Sequence, residues 1–413
     1  MKIRYGVSYW LDNFPNSRRP EYPRQRGRLT TDVAIVGGGL AACATAYAFA
    51  AAGVTVTLFE ADRIGSGSTA FADGLVLQEP GVQYRAVEQL YGVATARRIF
   101  QLVHRAALDL VSTVRRLRIE CGIEARELAL LASTSDDEKG LRREWQTRKA
   151  AGLDAACLNA RQVAARLKLG RDGALRTAGH ARLDPYRACL GFARAAAGRG
   201  AQLFEHSRVT RIRFGRRSVQ LRTQRGIVTA RAVVVATERA TDLFRPLERH
   251  FKTLHRYHVV TPPLSAAVVR ELGPEGVAIA DTVEPPHWVQ RLRDRRVICS
   301  GGDQPAVAER AREKARVQRT GQLMYELSTM YPVISGVMPE YGWDSAYGRT
   351  ADGLPYLGPH RNYPHHLFAL GCGLGGPALA FLASRVLVRH YLGEPAKGDA
   401  FFDFSRARSG HPG

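Results

Sequence analysis

The chain has 413 residues, enough for two domains that each bury a core of their own. Its composition, 45% hydrophobic and 24% charged, excludes a disordered or fibrous protein, and no solenoid period is present. The formal net charge of +22 comes almost wholly from arginine dispersed along the chain, so a nucleic-acid partner is open but is the less favoured reading.

The six cysteines, Cys43, Cys121, Cys157, Cys189, Cys299 and Cys372, show no CxxC spacing, which speaks against a metal site, a dithiol redox pair or a disulfide frame. The first ten residues hold no apolar leader core, and no run of about 18 uncharged apolar residues occurs. The expectation is a cytoplasmic protein without a membrane span.

In chain order, Thr31 to Val36 is a short β-branched run that stops at Gly37-Gly38-Gly39. Leu40 to Ala52 follows as an alanine-rich, uncharged helix, Gly53 ends it, and Val54 to Phe59 forms the next strand with Glu60 at its carboxyl end. Gly37, Gly39 and Ala42 fit G-x-G-x-x-A: a tight turn, a close approach to pyrophosphate, and a small residue for helix packing. Strand, turn, helix, strand and acid make one βαβ unit for a dinucleotide, with phosphate on the helix N-terminus and ribose hydroxyls on Glu60.

From Val82 to Leu169 the pattern reads as mainly helical, clearest over Glu88 to Glu120. A helix starts at Asp184-Pro185-Tyr186 and runs to Arg199-Gly200. Strands follow at Gln202 to Glu205, Arg208 to Phe214, Ser218 to Thr223 and Val228 to Thr237, then strands and turns from Thr253 to Gly302, then a helix from Gln304 to Met330. The tail carries Asp352-Gly353-Leu354-Pro355, then Gly371-Cys372-Gly373-Leu374-Gly375-Gly376-Pro377 and a helix to Tyr391. Small residues before a helix N-terminus let a flat ring approach the backbone, and the dipole there favours negative charge.

Ser8-Tyr9-Trp10, the Gly37 turn, Glu60 with Arg63-x-Gly65-x-Gly67-x-Thr69, Ala236-Thr237 at a strand end and the Asp352 segment together resemble the D-amino-acid oxidase family of FAD-dependent oxidoreductases. Within it the chain is most similar to the gamma-glutamylputrescine oxidoreductase, glycine oxidase and sarcosine oxidase group. The resemblance spans nearly the whole chain. It implies an α/β (α+β overall) fold, with a discontinuous Rossmann-like FAD-binding domain (1–84, 180–248 and 340–413). Beside it would stand a substrate domain on a mixed, largely antiparallel sheet (a helical segment 85–179, and 249–339).

The implied function is oxidation of a C–N bond of a small amine or amino acid, by hydride transfer to flavin N5, giving an imine that hydrolyses. Carried over by position, Gly37, Gly39, Leu40 and Ala42 would face the pyrophosphate and Glu60 the ribose, while Arg63, Gly67, Ser68, Thr69, Ala236 and Thr237 would lie along the cofactor. Val209 would meet adenine, and Gly373, Leu374, Gly375 and Gly376 the isoalloxazine. The family's covalent members use a cysteine ahead of the Asp-Gly-Leu-Pro segment. Trp343 to Ala351 contains none, so FAD is expected to be non-covalent.

Candidate substrate contacts are His255, Tyr257, His258, Trp288 and Arg291 on the strands between Thr253 and Gly302, and Arg349 as a carboxylate holder. The electron acceptor is O2 or another acceptor, with no lysine between Lys252 and Lys314 to favour O2. Two alternatives stay open: a same-fold oxidoreductase acting on modified tRNA, and a flavin-binding subunit of a larger dehydrogenase complex.

Overall fold

The computed structural model of the chain describes residues 3–406, apart from the side chain of Leu374. Among them, two sheets, of eight and ten strands, carry the architecture. In the smaller sheet, Tyr363–Leu370, Gly226–Glu238, Gly27–Val36, Val56–Phe59 and Gln202–Phe204 lie side by side and parallel, as an all-buried βαβ arrangement requires. Tyr356–His360 closes one edge antiparallel, and Val209–Phe214 with Val219–Thr223 adds a meander. The helices Leu40–Ala51, Pro185–Ala197 and Gly376–Leu392 pack together. The first is uncharged and buried nearly all round, as its alanine-rich sequence demands.

The larger sheet runs Arg4–Tyr5, Tyr341–Arg349, Lys252–Val260, Val297–Pro305, Trp288–Arg291, Val277–Asp281, Glu124–Leu131, Gly173–Arg182, Leu75–Val76, with Ala156–Asn159 also on Gly173–Arg182. Two of its pairings are parallel, Arg4–Tyr5 with Tyr341–Arg349 and Val277–Asp281 with Glu124–Leu131; the rest are antiparallel. This is the mixed α/β fold expected. No helix among the described residues is long and apolar enough to cross a membrane.

Three expectations are corrected. The segment 85–179 is not simply helical: beside the helices Tyr84–Tyr91, Val93–Arg116, Ser135–Ala150 and Ala160–Leu167 it gives three strands to the larger sheet. Glu124–Leu131 (EARELALL) consists largely of helix formers, yet pairing on both edges overrides that preference. The expected boundaries at 180 and 340 also do not follow the sheets, because Gly173–Arg182 and Tyr341–Arg349 both belong to the larger one. Finally, the helix begins at Glu309, not Gln304, since the preceding strand continues to Pro305.

Candidate active site

A cavity of about 550 Å3 runs between the two sheets, starting at the Gly37 turn. Gly37 sits at φ +115°, and a Cβ there would lie 2.5 Å from the Ala236 carbonyl oxygen, so only glycine fits the turn. At Gly38 a Cβ would meet Glu60 Oε2 at 2.7 Å. Gly39 gives the helix Leu40–Ala51 no side-chain cap; instead the Leu40 N–H donates to Thr69 Oγ1 at 2.9 Å. Burial raises the Glu60 carboxyl pKa, opposed by N–H groups of Asp62 and Gly38. Asp62 N donates to Glu60 Oε1 at 2.8 Å.

The loop holding Gly67, Ser68 and Thr69 is fixed from outside. The Ser8 hydroxyl donates to the Ala70 carbonyl, the Trp10 indole to Ala72 O at 2.8 Å, and the Trp343 indole to Phe71 O at 3.0 Å. The Ser8-Tyr9-Trp10 segment, remote in sequence, therefore shapes this wall. Val209, Ala236, Thr237, Gly373 and Gly376 continue the lining.

The opposite wall comes from the larger sheet: Arg256, His258, Ser345, Ala346 and Tyr347. Arg256 binds Asp303 through two hydrogen bonds of 2.8 Å, and the Tyr347 hydroxyl donates to the same carboxylate. Burial pushes the Asp303 carboxyl up, but Arg256 outweighs it and holds it below the ordinary range. The His258 ring stacks on Trp343 at 5.2 Å and 4°. Burial pulls its pKa down to about 4, so it is neutral at pH 7.

Where the smaller sheet meets this wall stands Glu238, at the end of Gly226–Glu238 with φ +64°. Its carboxylate accepts from Cys372 N at 3.2 Å and Gly373 N at 3.0 Å. Burial still pushes its pKa up to about 7 against those donors. Asp73 lines the same end of the cavity.

Several predicted residues lie elsewhere. Strand alternation explains the larger misplacements, because Arg256 and His258 share one face while His255 and Tyr257 take the other. His255 is bound through Nδ1 to Asp344 at 2.8 Å, and Tyr257 packs in a separate core with Val259 and Leu323. Arg291 is turned the same way, donating to Gly273 O at 2.8 Å and lining a small pocket with Leu167 and Tyr331. Arg349 pairs with Glu284 at 3.6 Å, and Trp288 packs with Leu128 and Ala278; neither lines the cavity.

Among the nucleotide candidates, Ala42 is fully buried in the helix packing, Arg63 is off the wall, and a Cβ on Gly375 would strike Leu379 Cδ1 at 2.3 Å. The side chain of Leu374 lies outside the described residues. Missed at the sequence level were Glu238, Asp73, Arg256 and Tyr347. For Glu238 the signal existed, since it directly follows Ala236-Thr237 at a strand's carboxyl end. Period-two spacing from His258 could have found Arg256.

The geometry agrees with what known proteins show. The family described as "DAO: FAD dependent oxidoreductase" matches residues 32–390. Gamma-glutamylputrescine oxidoreductase of Escherichia coli K12 is 26% identical over 380 residues, covering 90% of this chain and 86% of that protein. The crystal structure of glycine oxidase from Geobacillus kaustophilus superposes with a TM-score of 0.75 at 20% identity, over 93% of this chain and 100% of the other. L-amino acid deaminase from Proteus myxofaciens gives 0.76 at 14% identity, over 98% and 99%. The chain belongs to the DAO family of FAD-dependent oxidoreductases, and it is a flavoenzyme of the type that oxidises amines and amino acids.

Proposed function

We propose that the protein holds FAD without a covalent bond and oxidises a carbon–nitrogen bond of a small amine or amino acid to an imine, which water then hydrolyses. The carrying observation is one continuous cavity that starts at the Gly37 turn and ends against Asp73, Glu238 and His258. Gly37, Gly39 and Leu40 would receive the pyrophosphate, Glu60 the ribose and Val209 the adenine. Gly67, Ser68, Thr69, Ala236 and Thr237 would flank the chain between the rings, and Gly373 and Gly376 would meet the flavin ring. The fit is supported by the glycine cradle, whose Cβ positions are closed by Ala236 O and Glu60.

When bound, FAD supplies a hydride acceptor at N5. The surrounding residues bind and orient the amine and adjust its proton. Only a neutral amine has the lone pair that stabilises a developing iminium, so an arriving ammonium must lose its proton. Glu238, with a pKa of about 7, attracts the ammonium and can take the proton on its carboxylate. His258 stays neutral and adds no repulsion.

Cys372 lines the cavity, but burial holds its thiol well above the ordinary range, which suppresses the thiolate that covalent attachment needs. All six cysteines are free thiols, which suits a cytoplasmic location. With no lysine between Lys252 and Lys314, reoxidation is expected to be faster with a quinone or dye than with O2. An anaerobic screen of amines for flavin bleaching tests the function. No bleaching by any amine or amino acid would overturn it. Acid precipitation should leave the yellow colour in solution, and flavin retained in the pellet would contradict non-covalent binding.

A further inference from the structure

Within that amine-oxidising reading, we propose that the substrate carries no carboxylate on its reacting carbon and that its far end is an anion, held by Arg239, Arg312 and Arg316. Two adjoining cavities of opposite charge carry the proposal. The first, at its larger-sheet end, is lined by Asp73, Glu238 and Arg256 as its charged groups. Arg256 is already neutralised by Asp303 through both its Nε and Nη2 donors, and Tyr347 occupies the same carboxylate. What remains is acidic. It suits an ammonium and repels a carboxylate attached beside it.

A second cavity, of about 440 Å3, shares Gly67, Ser68, Thr237, Glu238, Ser345 and Ala346 with the first, so the two meet at Glu238. Beyond that junction its lining turns basic, with Arg239, Arg312 and Arg316 against the single carboxylate of Asp344. Arg312 and Arg316 both grip Asp344 through Nε, at 3.1 and 2.8 Å, and His255 holds it from another side. Asp344 therefore fixes both guanidiniums; Arg312 also stands 3.6 Å from the exposed Glu309, and Arg239 adds a further positive charge to the lining. Burial pushes the Asp344 carboxyl up, but His255, Arg316 and Arg312 together hold it well below the usual range, so it remains an anchor at any working pH. Arg239 is exposed and makes no side-chain hydrogen bond among the described residues.

A ligand spanning the junction would place its ammonium on the acidic side and its anion on the basic side. An α-amino acid, with both charged groups on one carbon, fits neither half. An ω-amino acid or a longer amine ending in an acid does.

The test is anaerobic stopped-flow reduction of the holoenzyme by the isomers δ-aminovalerate and norvaline, both enantiomers of the latter, beside pentylamine. γ-Aminobutyrate and ε-aminocaproate bracket the length. The best ω-amino acid should exceed pentylamine and norvaline by about tenfold or more in reduction rate over Kd, the size expected of one added charged hydrogen bond. In Arg239→Gln that preference should fall by about tenfold, through Kd and not through the limiting rate. Valerate, which has the anion but no amine, should bind by calorimetry and bind more weakly to the same variant.

Norvaline as the best substrate would overturn the proposal, and so would ω-amino acids that gain nothing over pentylamine. An Arg239→Gln variant that keeps its preference and its valerate affinity would do the same. Failure of the underlying reading looks different: no amine bleaches the flavin, and the proposal then falls with it.

Discussion

The two walls of the main cavity are built by different means. The smaller sheet meets it with backbone, at Gly37, Gly39, Thr237 and Gly376, whereas the larger sheet meets it with side chains, at Arg256, His258 and Tyr347. A backbone wall tolerates almost no added atom, because its shape is the chain itself. A side-chain wall is tunable, but only where each polar group keeps its partner. The first kind suits a cofactor of fixed shape, and the second suits substrates that differ among relatives.

The sharpest test of that contrast is to remove a partner on the side-chain wall. Asp303→Ala leaves Arg256 buried and unpaired, and should cost about 3–5 kcal/mol of stability in a urea melt. A loss under about 1 kcal/mol, typical of an exposed pair, would show that this wall is wet and its charges independent.

On the backbone wall, Gly37→Ala puts a Cβ into the Ala236 carbonyl at positive φ. Strain and overpacking together of about 3 kcal/mol should weaken FAD binding by about two powers of ten, read by titration of the apoprotein. Equal affinity would show that the turn yields and the contrast is false. Glu60→Ala, which removes a side chain from the same wall, should cost between one and two powers of ten, the worth of one or two charged hydrogen bonds.

The effect that depends on pH belongs to Glu238, at the junction of the walls. Its folded pKa of about 7 stands above the ordinary carboxyl value of 4.5, so its stabilising contribution is fully present below pH 4.5 and is lost as pH rises through 7. The Tm difference between apoprotein and Glu238→Gln, measured across that window, should drift in favour of the variant as pH rises. A difference that stays constant from pH 4.5 to 8 would mean that Glu238 titrates normally and is no candidate for taking a substrate proton.

The same contrast explains what the sequence disclosed. Glycine spacing, the strand before it and Glu60 after it are local, so the nucleotide half was legible from one βαβ stretch. The substrate half rests on which face of Lys252–Val260 turns inward, and that is set by pairing with Tyr341–Arg349, far away in the chain. Of the predicted residues on this strand His258 faces the cavity, beside the unpredicted Arg256, while His255 and Tyr257 belong to the other side. Glu124–Leu131 was illegible for a related reason: its residues favour helix, and only two partner strands from 173 to 182 and 277 to 281 make it extended. Arg291, on a predicted strand, and Arg349, expected as a carboxylate holder, use their charges in the carbonyl contact of Gly273 and the pairing with Glu284.

The tryptophan anchors of the Gly67 loop have an optical consequence. Trp10 and Trp343 each donate their indole N–H to that loop, and Trp343 also stacks on a ring of the cavity wall. Two of the chain's four tryptophans thus sit against the compartment that takes an absorbing ligand, which makes the protein's tryptophan fluorescence a built-in gauge of its loading. Emission should fall as the yellow cofactor enters and recover as it leaves, so occupancy of the purified protein can be followed without any label.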